Sequence, residues 1–228
     1  MINKITVPAN LIEYSEDAPA SINQPKFITI NEFQEYTGSR FAEAFNQILQ
    51  EPQPIIPINL DTPGGVVSAL FSILDIISVS PKPIMTYTSS MAASCGAVLL
   101  SAGTKGYRYA SPRSMILIHQ ASSAIEGKAS DIINDALHME RLNDKLMEIL
   151  ATNSNKSKQF YHNLVKKANN ADLFLTPEQA VSYGLIDFIG VPQMELRIEP
   201  QYIVTNLTPN KNLKNKITKV IKETKKST

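Results

Sequence analysis

A chain of 228 residues, 43% hydrophobic and 19% charged, is long enough for one substantial core and has ordinary globular balance. No apolar stretch approaches the roughly 20 residues that a membrane span needs. The single cysteine, Cys95, excludes an internal disulfide and any thiolate metal cluster. The net charge of +1 conceals a split: seven lysines and one glutamate after Pro209 contribute +6, which leaves −5 for everything before them. The opening residues MINKITVPANLIEY carry neither the basic start nor the continuous apolar run of a secretory leader, so a cytoplasmic location is the expectation.

In chain order, FITI (27 to 30) predicts a short strand, and Phe41, Phe45, Ile48 and Leu49 follow the spacing of an amphipathic helix. PIIPINL (54 to 60) predicts a second strand running into the turn DTPGG. Val66, Ala69, Leu70, Ile73, Leu74 and Ile77 then mark a helix that stops near Pro81. PIMTYT (83 to 88) is strand-like, residues 92 to 102 read as one buried helix, and SMILIHQ (114 to 120) is a strand ending at a histidine. A long helical pattern from Lys128 to Thr152 places Ile132, Ala136, Met139, Leu142, Leu146 and Ile149 on one face. It exceeds the usual globular length and predicts a helix that projects or packs against another subunit. In LTPEQAVSYGLID, Thr176 predicts an N-cap, Pro177 a first helical position, Gln179 a capping box and Gly184 a C-terminal glycine.

Strand and helix alternating in this way define an α/β class with mostly parallel strands and crossover helices, in which ligands gather at the carboxyl ends of strands. Three features sit there: the Gly64-Gly65 turn, Ser94 and His119. A serine needs a base to take its proton and an acid to orient that base. Ser94, at a strand-to-helix turn between Ala92, Ala93 and Gly96, meets the first need. On its own such a serine equally fits plain packing. His119 equally fits a polar cap on the core, and the diglycine a tight turn or a pair of N–H donors. His138 and His162 lie in charge-rich helical surroundings and read as surface residues.

Taken together, IPINLDTPGGVVSAL, TSSMAASCGAVLLSAGTKGYRYASPRSMILIHQ, EGKASDI and DLFLTPEQAVSYGLID resemble, in order and spacing, the proteolytic subunit of the Clp protease (ClpP) over about residues 54 to 190. The resemblance implies a ClpP/crotonase-like α/β spiral of βαβ units with a long handle helix. It implies a serine endopeptidase with Ser94 as nucleophile, His119 as base and Asp172 as the orienting acid. The backbone N–H groups of Gly65 and Cys95 would then form the oxyanion hole, with the Cys95 side chain filling space as a small hydrophobe. Asp187, in GLID, is the alternative acid.

The same likeness divides the chain into a divergent segment 1–26, a peptidase domain 27–192 and a C-terminal extension 193–228 with the lysine-rich tail. It implies homo-oligomeric, heptameric rings, a peptide or unfolded protein substrate and an AAA+ unfoldase partner of Clp type. No cofactor, metal, membrane or nucleic acid is expected, and ATP enters only through the partner ATPase. A divergent or phage-type member is the expected variety. Asn170-Ala171 stand where the family usually has charged ring-contact residues, and Pro57 and Asn59 where it has aromatic residues lining the unfoldase pockets. Ala121-Ser122-Ser123-Ala124 replaces a glycine-rich substrate-binding strand. Alternative readings are a capsid-maturation or signal-peptide-peptidase-like protease on the same fold, an acyl-CoA enzyme of crotonase type, and a non-catalytic ring subunit.

Overall fold

The computed structural model describes residues 25–122, 126–168 and 172–193. The first segment, residues 170 and 171, Ser123-Ala124 and the lysine-rich tail lie outside them, apart from Pro25 and Lys26.

The chain runs through β1 (Ile28–Ile30), α1 (Thr37–Leu49), β2 (Ile56–Leu60), α2 (Val67–Ser78), β3 (Ile84–Thr88), β4 (Met91–Ala93) and α3 (Cys95–Ser101). It continues through β5 (Arg108–Ala110), β6 (Met115–Ile118), α4 (Ala129–Ser154), α5 (Lys158–Lys167), β7 (Leu173–Leu175), α6 (Pro177–Tyr183) and β8 (Phe188–Ile189). Five strands form a parallel sheet in the order β1-β2-β3-β5-β8. A second sheet has the order β4-β6-β7, with β4 and β6 parallel and β7 antiparallel to β6. β2 and β3 are buried at four of five positions each, as continuous apolar runs covered on both faces require.

The helices cover these sheets with the faces their spacing dictates. α1 buries Phe41, Phe45 and Ile48, with the two phenylalanine rings stacked at 5.7 Å. α2 buries Ala69, Leu70, Ile73 and Ile77. The stretch expected as one helix from 92 to 102 is divided: Ala92 and Ala93 belong to β4, and α3 begins only at Cys95, every residue of it buried. Uniform apolar composition hides this boundary, because strand and helix are equally served by small buried side chains. α6 has the expected capping box: Thr176 Oγ1 accepts from Gln179 N at 3.3 Å, Gln179 Oε1 accepts from Thr176 N at 2.9 Å, and Gly184 closes the helix at φ 79°.

α4 is 26 residues long, and its burial is confined to its last third, at Leu146, Met147, Leu150, Ala151 and Ser154. Ile132, Ile133 and Leu137 in its first half are 41%, 60% and 46% exposed. β5, β7, β8 and α5 have no counterpart among the sequence expectations. Below α3, Arg108 of β5 is buried and gathers the fold. Its Nε and one terminal nitrogen donate to the Asp187 carboxylate, while the other terminal nitrogen donates to the carbonyls of Ser101 and Asn153 in the last turns of α3 and α4. A guanidinium there satisfies helix-end acceptors that would otherwise be buried without partners.

Candidate active site

Strand register assembles the site. β4 lies parallel to β6 with Ala93 opposite Leu117, and Ser94 N–H continues the ladder by donating to Leu117 O at 2.9 Å. β7 runs antiparallel to β6 with Ile118 opposite Leu173, which brings the residue after β6, His119, beside the residue before β7, Asp172. His119 Nδ1 and Asp172 Oδ1 are 3.4 Å apart, and their side chains are 29% and 54% exposed.

Ser94 stands between β4 and α3 at φ 57°, ψ −119°, far from ordinary backbone for a residue with a Cβ. Such a conformation costs about 1–3 kcal/mol and persists only where the surroundings impose it. Here they do: its N–H is held by Leu117, and its carbonyl accepts from Ala97 and Val98 in the first turn of α3. While its neighbours Ala93 and Cys95 are buried, Ser94 is half-buried and opens onto a cleft of about 1030 Å³ also lined by Gly65 and His119. The rest of the cleft is largely apolar, with Val67 and Phe71 from α2 and Met139 and Leu142 from α4. Asp172 does not line the cleft and meets it only through His119.

The glycine turn is shaped by Thr62. Its buried hydroxyl accepts from Gly64 N–H at 3.1 Å, a local turn bond for which the Thr-Pro-Gly order is a sequence signal. Thr62 also pairs with Ala92, donating to Met91 O and accepting from Ala93 N, each at 2.9 Å, and so ties the end of β2 to β4. Gly64, at φ 107°, lies so close to Ser94 that a Cβ on it would come within 2.6 Å of the serine Cβ. Gly96 owes its identity to packing: a Cβ there would meet Thr62 Cγ2 at 2.5 Å. The N–H groups of Gly65 and Cys95 have no acceptor among the described residues.

The Cys95 thiol is buried, and burial pushes its pKa up to about 11, hydrogen bonds from its surroundings offsetting only part of the rise. It stays protonated at neutral pH and donates to Gly65 O at 3.3 Å, so it is a hydrogen-bond donor as well as a small hydrophobe and is unsuited to nucleophilic attack. Asp187, the alternative acid, is engaged elsewhere. Burial works to raise its pKa, but the hydrogen bonds and charge of Arg108 and the N–H groups of Gly106 and Arg108 outweigh this and hold it below the ordinary carboxylate value. Of the remaining histidines, His162 contacts Asp144 at 3.0 Å near Lys158, and His138, exposed as its charge-rich helical surroundings suggest, also lines the cleft.

A parallel α/β domain that presents a strained serine between a strand and a buried helix, with a histidine at the next strand end, has the layout of a serine-type hydrolase. The chain matches the Clp protease family over residues 32–193 and belongs to that family. The family is one of serine-type peptidases, whose members usually form oligomeric rings.

Proposed function

We propose that the protein is a serine endopeptidase working through Ser94, His119 and Asp172. Ser94 Oγ attacks the scissile carbonyl while His119 Nε2 takes its proton and then returns it to the leaving amine. Water resolves the acyl-enzyme by the same route in reverse. Asp172, meeting His119 at Nδ1, leaves Nε2 for the serine and stabilises the imidazolium. The N–H groups of Gly65 and Cys95 receive the oxyanion, helped by the amino end of the adjoining backbone. The observation that carries this reading is Ser94, held in a costly conformation at the wall of a cleft shared with His119 and Gly65.

The substrate class is peptides and unfolded protein, admitted to a chamber formed by homo-oligomeric, heptameric rings. A Clp-type AAA+ unfoldase would supply substrate and alone use ATP, in the cytoplasm. The peptidase domain is 27–192, with 1–26 and 193–228 as added segments. Signal-peptide peptidases of this fold use a lysine base, and no lysine lines the cleft among the described residues, which favours the histidine triad.

A fluorophosphonate probe with a fluorogenic peptide tests the reading. Labelling should fall on Ser94, and Ser94→Ala should abolish both labelling and hydrolysis while leaving the mass of the assembly unchanged, since one hydroxyl is removed at the surface of a cleft. Hydrolysis that survives Ser94→Ala overturns the proposal.

A further inference from the structure

The N–H of Gly65 can act as an oxyanion donor only if its peptide plane is held, and a segment outside the turn takes part in holding it. The segment between β1 and α1 crosses the glycine turn at Phe33, which is 1% exposed and pairs with Gly65 as an isolated bridge. Phe33 N–H donates to Gly64 O at 2.9 Å, and Val66 N–H donates to Phe33 O at 2.7 Å. The approach is so close that a Cβ on Gly65, at φ 137°, would come within 2.2 Å of Phe33 O.

The peptide joining Gly64 to Gly65 is planar, with its carbonyl and N–H pointing opposite ways. Pinning the oxygen to Phe33 therefore turns the Gly65 N–H away from Phe33, and that N–H has no acceptor among the described residues. The geometry points to Phe33 as a positioning residue for the oxyanion hole: its main chain aims the Gly65 N–H, and its buried ring anchors that main chain to the core. The inference rests on the peptidase reading. Glu32, Gln34, Glu35 and Tyr36 on either side of Phe33 line the same cleft, so the strap that aims the donor is also a wall of the substrate site.

Replacing Phe33 by phenyllactic acid, its α-hydroxy analogue, exchanges the backbone N–H for an ester oxygen and keeps the ring. In the full chain, kcat for a fluorogenic peptide should fall roughly tenfold or more with KM within about twofold and the melting temperature little changed, since a donor misaimed by a fraction of an ångström loses transition-state stabilisation. Val66→Pro deletes the neighbouring bond at a residue whose φ of −69° already suits proline. Compared with Val66→Ala, which keeps the N–H, it should lower kcat in the same sense. An active parent whose kcat is unmoved by both changes overturns the positioning role alone. A parent that neither labels at Ser94 nor cleaves peptide overturns the peptidase reading, and this inference with it.

Discussion

Two acid–base pairs in this molecule use the same chemistry in opposite states. Arg108 and Asp187 close beneath α3, with side chains 4% and 18% exposed and both carboxylate oxygens engaged by guanidinium or backbone N–H groups. His119 and Asp172 meet at the ends of β6 and β7 through one contact of 3.4 Å, with side chains 29% and 54% exposed. A saturated, buried pair can change only by opening the core. An open pair at strand ends can draw together when a cleft fills and water leaves, and catalytic contacts commonly tighten in that way on substrate binding. Two aspartates in one short C-terminal stretch are thereby separated into a structural tie and a candidate catalytic acid.

The sharpest way to break that contrast is to remove one charge from each pair. Asp172→Asn is expected to lower kcat by about three to four powers of ten with little change in KM, because the wrong imidazole tautomer is favoured and its charged form loses its partner. Its melting temperature should stay close to the parent's, given the exposure of the side chain. Asp187→Asn should do the reverse, keeping kcat per folded molecule while lowering stability by about 3 kcal/mol, the scale for leaving a buried charge without its partner. Steady-state kinetics and thermal melts on both variants check this, and a kinetic defect confined to Asp187→Asn would exchange the roles.

Acid sharpens the same comparison with a smaller effect. Asp187 has its folded pKa below the unfolded value of 3.8, so its contribution to stability is fully present above that value and is lost as pH falls through the folded pKa. The stability gap between the parent and Asp187→Asn should therefore be constant near neutrality and shrink progressively below about pH 4. Denaturant titrations at several pH values read it directly, and a gap that stays constant into strong acid would mean that Arg108 does not set the Asp187 proton affinity.

These pairs also mark how far the sequence could be read. β2, α2 and β3 were legible because long apolar runs with one period admit one element each. β5 was not: three residues, RYA, begin with an arginine whose buried position is explained by partners far along the chain, Asp187, 79 residues away, and the carbonyls of Ser101 and Asn153. β8 is two residues long and carries no pattern to count, whereas α5 does place Phe160, Tyr161, Leu164 and Val165 at helical spacing, a signal that went unread among its polar neighbours. At the candidate site, Ser94 and His119 could be picked out by the elements they terminate. The partnership of His119 with Asp172 depends on the antiparallel register of Ile118 with Leu173, which no local pattern encodes, and only the family likeness suggested it. The Phe33 strap was not legible, because the bonds that aim the glycine turn are main-chain bonds any residue can make, and the one side-chain signal, a single buried ring, fits ordinary core packing equally well.

The two halves of α4 extend the contrast from pairs of charges to apolar surface, and here the expected effect is smallest. All of the burial lies in the second half, in its last nine residues, whereas Ile132, Ile133 and Leu137 in the first half are exposed, more apolar surface than two turns of a solvated helix ordinarily show. In the proposed rings this half forms the handle against which a facing ring packs. Asn170 and Ala171, at positions where the family likeness leads one to expect charged ring-contact residues, are uncharged. Exposed ion pairs weaken as salt shortens the screening length, while burial of apolar surface does not, so association between rings should change little between low and high ionic strength. Ile133→Asp, which sets a charge in the middle of the exposed stripe, should separate the rings at either ionic strength while leaving each peptidase domain folded. Native mass spectrometry of the parent and this variant at two salt concentrations decides the matter: rings of the parent that separate on adding salt would show that charge holds them, and a monomer under every condition would remove the oligomer altogether.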